Sequence, residues 1–301
     1  MAHSASDFFA AVDPVVNRHF YGLDDEKMEA QFSKIFKIGS DDEPVKSAVE
    51  YAGPASLSLK TENASVTQKQ IRQGPIKTWN SATYAAAVTL SYEAAKDVKN
   101  RYGKIAQTAG SLGRATKVTP ELLSALFLDR AFNSSYPATA DGLELCSTAH
   151  LLPDGVTTVS NELATPAALD ETSAEDVKIN LRTMTGPDGN ISALMVKNWL
   201  VPSALSVVAE KLSTSDKTIG SANNDPSVIK GTKFQVFDYL GSSTRWFAQT
   251  NASDGLFWDW IEKTQFVTDQ VPMLMQKVYI AFFRARWGCV NFRALYGSAA
   301  T

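Results

Sequence analysis

The chain has 301 residues, with 29 Lys and Arg against 32 Asp and Glu, and a formal net charge of −3. This balance excludes a strongly basic nucleic-acid binder, whose affinity depends on clustered Lys and Arg. Apolar residues make up 44% of the chain, which is enough for one large domain or two modest ones. Because the sequence shows no secretory leader and no run of 18 apolar residues, we predict a soluble protein.

Few side chains are suited to holding a metal ion or forming a disulfide framework. The two cysteines, Cys146 and Cys289, cannot build a cysteine-rich zinc site, and we expect both to be buried small hydrophobic residues. The three histidines, His3, His19 and His150, have no partners at ligand spacing, and no glycine-rich phosphate loop is present. The sequence therefore predicts neither a metal site nor a bound cofactor.

Residues 1–47 are predicted to form an N-terminal arm. They contain nine acidic and five basic residues with apolar side chains between them, so the segment can dock on a surface but builds no core of its own. A flexible tail is the alternative. The arm residues that we expect to contact a partner are three phenylalanines and four aspartates: Phe8, Phe9, Phe20, Asp24, Asp25, Asp41 and Asp42.

Residues 48–90 are predicted to form a long β-hairpin that projects from the body. Strand-like patterns end at Leu57 and Leu59 and resume from Trp79 to Leu90, and the stretch between them holds four bases against one acid. Because an isolated two-stranded hairpin is only marginally stable, a projecting one needs a partner surface. A disordered surface loop is the alternative. The basic residues expected to make the contact are Lys60, Lys69, Arg72 and Lys77.

Apolar residues spaced three to four positions apart predict a long helix over about residues 92–132. Thr119 and Pro120 resemble an N-cap followed by a first-turn proline, so either a second helix starts there or one long helix kinks. The side chains predicted to form its apolar face are Leu122, Leu123, Leu126 and Phe127.

The second half of the chain mixes helices and strands, which predicts the α+β class. We expect a helix over 173–183 that Ser173 could cap, a strand over 191–196, and an amphipathic helix opened by Pro202. The longest extended run, residues 273–290, is apolar on both faces and is predicted to be a central, covered strand.

One stretch places a nucleophile near a base. Ser147 and His150 are close together, with Asp141 and Asp154 nearby. A serine hydrolase requires its nucleophile, base and orienting group in contact, and no G-x-S-x-G turn surrounds any serine. A structural loop histidine is the favoured interpretation. We therefore predict no enzyme and no catalytic residue, and keep a serine hydrolase that uses Ser147 and His150 as the remote alternative.

The stretch DGLELCSTAH, which begins at Asp141, resembles the Mu-like branch of tailed-phage major capsid proteins. The family pattern has proline where this chain has Leu151. The resemblance continues through residues 200–212, 222–231 and 287–298, and so covers most of the chain from residue 90 onward. The matching residues of the first block are Asp141, Gly142, Leu145, Cys146, Ser147, His150, Gly155, Ser160 and Asn161.

This resemblance implies the Hong Kong 97-like capsid fold. It divides the chain into an N-terminal arm (1–47), an extended β-hairpin loop (48–90), a peripheral domain with a long spine helix (91–167), an axial domain (168–258) and C-terminal strands that return to the peripheral domain (259–301). In that fold the arm and the extended loop reach neighbouring subunits. The acidic arm and the basic loop suggest complementary contacts between them.

The function implied is that of a phage major capsid protein, which assembles into pentamers and hexamers of an icosahedral head around double-stranded DNA. The implied partners are other copies of the chain, a separate scaffolding protein, a portal, and a cement or decoration protein. DNA would be contacted weakly and non-specifically, and no membrane is involved. The implied location is the virion, after assembly in the host cytoplasm. An encapsulin-like cargo shell with the same fold is the alternative.

Overall fold

The predicted α+β class is confirmed by a computed structural model, which describes residues 20, 30–93, 101–217, 227 and 229–300, with only the backbone of residues 101–108. The α-helices are α1 (Phe32–Ile35), α2 (Arg101–Asp129), α3 (Glu171–Thr183) and α4 (Ser206–Thr214). The strands are β1 (Lys37–Ser40), β2 (Val45–Ala52), β3 (Arg72–Asn80), β4 (Ala82–Ser91), β5 (His150–Leu151), β6 (Thr158–Val159), β7 (Val196–Pro202), β8 (Phe234–Phe237), β9 (Trp246–Thr250), β10 (Leu256–Val271), β11 (Gln276–Cys289) and β12 (Leu295–Ser298).

Two four-stranded sheets organise the described part of the chain. The first has the order β1-β10-β11-β4 and the second the order β12-β9-β7-β8. The first sheet packs against α2, whereas the second packs against α3 and α4. Strands β2 and β3 form a separate antiparallel pair, and so do the short strands β5 and β6.

Strand β11 is the central strand that the apolar run predicted. It is hydrogen-bonded to β10 on one side and to β4 on the other. Tyr279, Ala281 and Phe283 are buried on one face, while the opposite face is only half-buried, so the prediction that both faces are covered was wrong for that face. The expected start of the strand at Met273 was wrong, because Pro272–Leu274 form a 3-10 turn whose apolar side chains are exposed. The long partner strand β10 lies mostly within the range 259–301, for which the resemblance implied C-terminal strands, but it begins earlier, at Leu256.

The long helix α2 runs without a break through Pro120, so the one-helix alternative is correct. Its predicted apolar face was half right, because Leu123 and Phe127 pack against the core whereas Leu122 and Leu126 do not. Leu122 and Leu126 are 52% and 42% exposed, whereas the smaller Ala125 and the neighbouring Leu128 are buried. Small side chains on the inner face let the helix lie close to the sheet, and the sequence pattern gave their larger neighbours too much weight.

The segment from residue 30 to residue 40 belongs to the core of its own chain. Phe32, Ile35 and Phe36 are buried beneath the first sheet, and β1 pairs in parallel with β10. The buried carboxylate of Glu121 accepts hydrogen bonds from the backbone amides of Gln31 (2.8 Å) and Phe32 (2.9 Å), which satisfies the first donors of α1. The expectation that residues 1–47 build no core was therefore wrong for this part.

The hairpin is real, but its strands differ from those predicted. β2 and β3 pair over residues 45–80, and the connecting loop, residues 53–71, is exposed throughout. The strand expected to run from Trp79 to Leu90 is divided: Trp79 lies near the end of β3, and the rest forms β4 in the first sheet. Val88 and Leu90 pack beside the buried Tyr279, and this burial draws β4 away from the hairpin.

Two local predictions in the second half of the chain were wrong in their residue positions. Asp170, not Ser173, is the N-cap of α3, and Ser173 completes a capping box with bonds of 2.7 and 3.0 Å to Asp170. The strand expected over 191–196 instead begins at Val196, as β7. The helix expected from Pro202 is confirmed as a 3-10 turn followed by α4.

Candidate functional site

Asn161 ties three separate segments together inside the protein. Its side-chain oxygen accepts a hydrogen bond from the amide of Ser147 (2.8 Å). Its side-chain nitrogen lies within 2.8 to 3.0 Å of the carbonyl oxygens of Leu145, Phe292 and Leu295. Asn161 is fully buried, so these bonds replace the water that the same groups would bind in the unfolded chain. The asparagine of the capsid-like motif therefore has a structural role, which is to hold these segments together.

The histidine of the same motif is equally buried. His150 Nδ1 lies 2.8 Å from Asp141 Oδ2, and its ring stacks on Phe292 with ring centroids 4.0 Å apart. Burial tends to raise the pKa of Asp141, but hydrogen bonds from His150 and Thr139 outweigh it and lower that pKa to about 2. We name Asp141, His150, Asn161 and their contacts the polar junction.

The polar junction does not form the hydrolase site considered from the sequence. In the part of the chain that the structure describes, His150 Nε2 has no hydrogen-bond partner, so it does not engage the hydroxyl of Ser147. His150 is also fully buried, which leaves a substrate no direct approach to the imidazole. The histidine is a structural one, as the favoured interpretation predicted, with its Nδ1 paired to Asp141 and its ring stacked on Phe292.

The predicted loop bases lie on the hairpin in different settings. Lys60 and Arg72 are exposed, and Lys69 is also exposed but contacts Ser56 within the same loop. Lys77 is half-buried and donates to the Pro137 carbonyl 3.1 Å away, in its own subunit. Three of the four bases are therefore free to face a partner, while Lys77 helps to hold the hairpin on the body.

The predicted arm residues are divided in the same way. Phe20 is only 4% exposed and stacks on Phe266 of its own chain (4.3 Å between centroids), so its assignment to a neighbouring subunit was wrong: the first sheet provides the apolar surface it needs. Asp41 pairs with Arg286, whereas Asp42 is exposed. The remaining arm residues, Phe8, Phe9, Asp24 and Asp25, lie outside the described residues.

Aromatic and charged contacts attach the inner end of the hairpin to β10. Lys46 and Trp79 are directly opposed across β2 and β3, and both touch Phe257 of β10. The ammonium of Lys46 lies 4.1 Å from the ring centroid, and the indole of Trp79 meets the ring edge-on at 5.1 Å. A β-carbon at Gly288 would lie 2.3 Å from the indole nitrogen of Trp79, so this close approach requires glycine.

Arg286 connects the hairpin to the first sheet. Its fully buried guanidinium lies 3.3 Å from Asp259, its cross-strand partner on β10, and it also pairs with Asp41. A third contact, of 2.7 Å, goes to the Glu43 carbonyl. Lys46 reaches the same Asp259 carboxylate at 2.7 Å. The backbone amide of Glu43 and the guanidinium of Arg286 lower the pKa of Asp41, which keeps this carboxylate charged.

Arg293 makes a second connection. Its guanidinium pairs with Glu50 of β2, donates to the Thr185 carbonyl at 3.2 Å, and stacks over Phe292, with its central carbon 4.4 Å from the ring centroid. Neither arginine was predicted from the sequence to have this role. The available signal was a pair of arginines on both sides of Gly288 within an apolar run, because a buried cation requires a partner.

Nothing in the described ranges suggests a metal centre or a membrane span. No group of three His, Cys, Asp or Glu side chains is placed to hold an ion there. Among the helices that the structure describes, none is long and apolar enough to cross a bilayer.

No sequence-family model and no curated protein matches the chain. Solved structures do match. They include the capsid of the cyanophage P-SCSP1u (8% identity, TM-score 0.57, 90% of this chain and 88% of that one) and the capsid of a native GTA particle (14%, 0.56, 90% of each). A chain of Microbacterium phage Oxtober96 also matches (10%, 0.52, 100% of each). The expected fold is thereby confirmed: over most of its length, the chain has the Hong Kong 97-like fold of tailed-phage capsid proteins.

Proposed function

We propose that this chain is the major capsid protein of a tailed bacteriophage, with a structural rather than an enzymatic role. The observation that carries the proposal is the capsid-like fold over at least nine tenths of the chain. The exposed loop 53–71 supports it. Leu57 and Leu59 on this loop are 95% and 94% exposed. Apolar side chains that project beyond their own subunit gain stability when another surface covers them.

The assembly we propose is an icosahedral head built from pentamers and hexamers around double-stranded DNA. Each subunit would offer several moderate contacts, and closure of the shell makes them collectively stable. The partners proposed beyond the chain itself are a scaffolding protein, a portal and a cement protein. DNA contact would be weak, in keeping with a net charge of −3. Assembly would take place in the host cytoplasm, and Phe8, Phe9, Asp24, Asp25 and Asp42 remain proposed subunit contacts.

Electron microscopy of the expressed protein tests this function. We expect closed, hollow shells or capsomer sheets of uniform thickness, because the shell contacts belong to the chain itself. Shells that repeatedly enclose a single enzyme and exclude DNA in the infected or lysogenic host would favour an encapsulin-like container instead. A monomer at all concentrations, with and without crowding agents and co-expressed phage proteins, would contradict the capsid assignment.

The loop charges give a second test. Replacing Lys60, Lys69 and Arg72 with serine is expected to reduce shell yield at low salt and to weaken the dependence of yield on salt, because exposed ion pairs are screened. Each pair contributes about 0–1 kcal/mol, but a shell repeats the contact many times. Turbidity and sedimentation across a salt series measure the effect.

The matched control removes three exposed bases outside the hairpin, Lys197, Lys211 and Lys263, and changes the net charge equally. If both triple variants lose assembly to the same extent, the net charge is responsible and the loop has no special part in assembly.

A further inference from the structure

We propose that Arg286 and Arg293 fix the direction in which the hairpin leaves the body, so that the two arginines are positioning residues for shell formation. The consequence for assembly rests on the proposed function, whereas the contacts themselves lie within one subunit. The two residues are seven positions apart, near the end of the chain, and each guanidinium reaches the hairpin or the segment that leads into it.

The two attachments hold opposite ends of strand β2. Arg286 binds Asp41 and the Glu43 carbonyl just before the strand, and Arg293 binds Glu50 near its far end. At about 3.3 Å per residue of extended chain, the seven residues from Glu43 to Glu50 span about 23 Å along the backbone. A single attachment would leave the hairpin free to swing about it. Two attachments at this separation remove that freedom.

Packing between the attachments prevents rotation about the strand axis. Lys46 and Trp79 hold the ring of Phe257 from opposite strands of the hairpin, and Gly288 lets the indole lie directly against β11. Gly288 is itself between the two arginines. The segment from residue 286 to residue 293 therefore supplies both charged contacts and the flat surface on which the root of the hairpin lies.

Burial makes the charged contacts strong enough for this role. The side chain of Arg286 is fully buried and that of Arg293 is 2% exposed, whereas their partners Asp41 and Glu50 are 37% and 30% exposed, so water screens the two pairs only in part. Moving the hairpin away would leave each buried guanidinium without that carboxylate, which favours the observed position of the hairpin. In the loop 53–71 the Ala55 carbonyl accepts a hydrogen bond from the Asn190 side chain, but among the described residues no buried charge holds the loop, so the direction of its outer part depends mainly on the root of the hairpin.

Distances between two spin labels test the inference in the subunit itself. The labels are attached at Ser65→Cys in the loop and Thr172→Cys on α3, both exposed positions. The native Cys146 and Cys289 are buried, and burial raises their thiol pKa, that of Cys289 to about 12, so neither competes for the reagent. We expect a narrow distance distribution in the parent protein.

The Asp41→Asn, Glu50→Gln double variant is expected to broaden the distribution at least about two-fold, because local order follows local contacts. Asp259 still pairs with Arg286 and Lys46, but the variant leaves the buried Arg293 guanidinium without its carboxylate, so the melting temperature is expected to fall and the distances are measured well below it. The matched control, Glu62→Gln with Glu210→Gln, removes two exposed acids that are not among the proposed subunit contacts and is expected to leave the distribution narrow.

A broad distribution in the parent protein, or an unchanged one in the double variant, overturns the positioning role even if shells form. A narrow parent distribution that the double variant broadens supports the role, and shell yield then tests its consequence. If the parent protein has the narrow distribution but never assembles, the capsid function fails while the positioning of the hairpin within the subunit stands.

Discussion

Replacing Asn161 with alanine is expected to lower the free energy of unfolding by about 3–4 kcal/mol, since a buried donor or acceptor left without a partner costs about 1–3 kcal/mol. The substitution removes the partner of the Ser147 amide and of three carbonyl oxygens, on Leu145, Phe292 and Leu295. Some of these groups will recover bonds by small movements, so the loss is smaller than the sum of the four. Chemical denaturation of the unassembled subunit measures it.

Asn80→Ala is the control, because Asn80 is exposed on β3 and its loss should change the free energy of unfolding by less than about 0.5 kcal/mol. If Asn161→Ala proved as mild as this control, the network around the amide would contribute little and the motif would require another explanation.

The second large effect is a loss of stability at low pH. The pKa of Asp141 in the folded protein is about 2, below its ordinary value of 3.8. A group whose pKa is depressed on folding stabilises the protein above the pKa of the unfolded state, and the stabilisation is lost as the pH falls through the folded value. We expect Asp141 to contribute about 2 kcal/mol at neutral pH, with the loss falling between about pH 4 and pH 2.

Comparing the free energy of unfolding of the parent protein with that of the Asp141→Asn variant separates the contribution of Asp141 from the contributions of the other carboxylates. The difference should be largest near pH 7 and shrink toward zero by pH 2. Asp42→Asn, at an exposed position, should show no such convergence. A difference that stays constant between pH 7 and pH 2 would mean that Asp141 acts through its shape and not through its charge.

The order of parts could be predicted from the sequence because it depends on local patterns. Apolar spacing identified α2, and the apolar run identified β11 as a central strand. The motif from Asp141 to Asn161 pointed to a capsid-like fold that the structural comparisons confirm. These features can be predicted from the sequence because helix periodicity and strand burial depend on residues that are close together in the chain.

The boundaries of the strands and the surfaces that they pack against could not be predicted from such patterns. The sequence could not show that residues 82–91 leave the hairpin for the first sheet, because strand pairing is decided by which distant surface buries the side chains. It assigned Phe20 to a neighbouring subunit, although the apolar surface that covers it belongs to its own chain. An apolar residue in a polar segment indicates that some surface buries it, but not which surface.

By itself the sequence determined the class of fold, a hairpin with an exposed loop and a motif that resembles phage capsids. Only the tertiary structure revealed what the motif does and how the loop is held. Asn161 and the segments it joins are up to 134 positions apart, and Arg286 lies 245 positions from Asp41. Contacts at such separations depend on the packing of the whole chain, and a buried amide or guanidinium has a defined role only after its partners are in place.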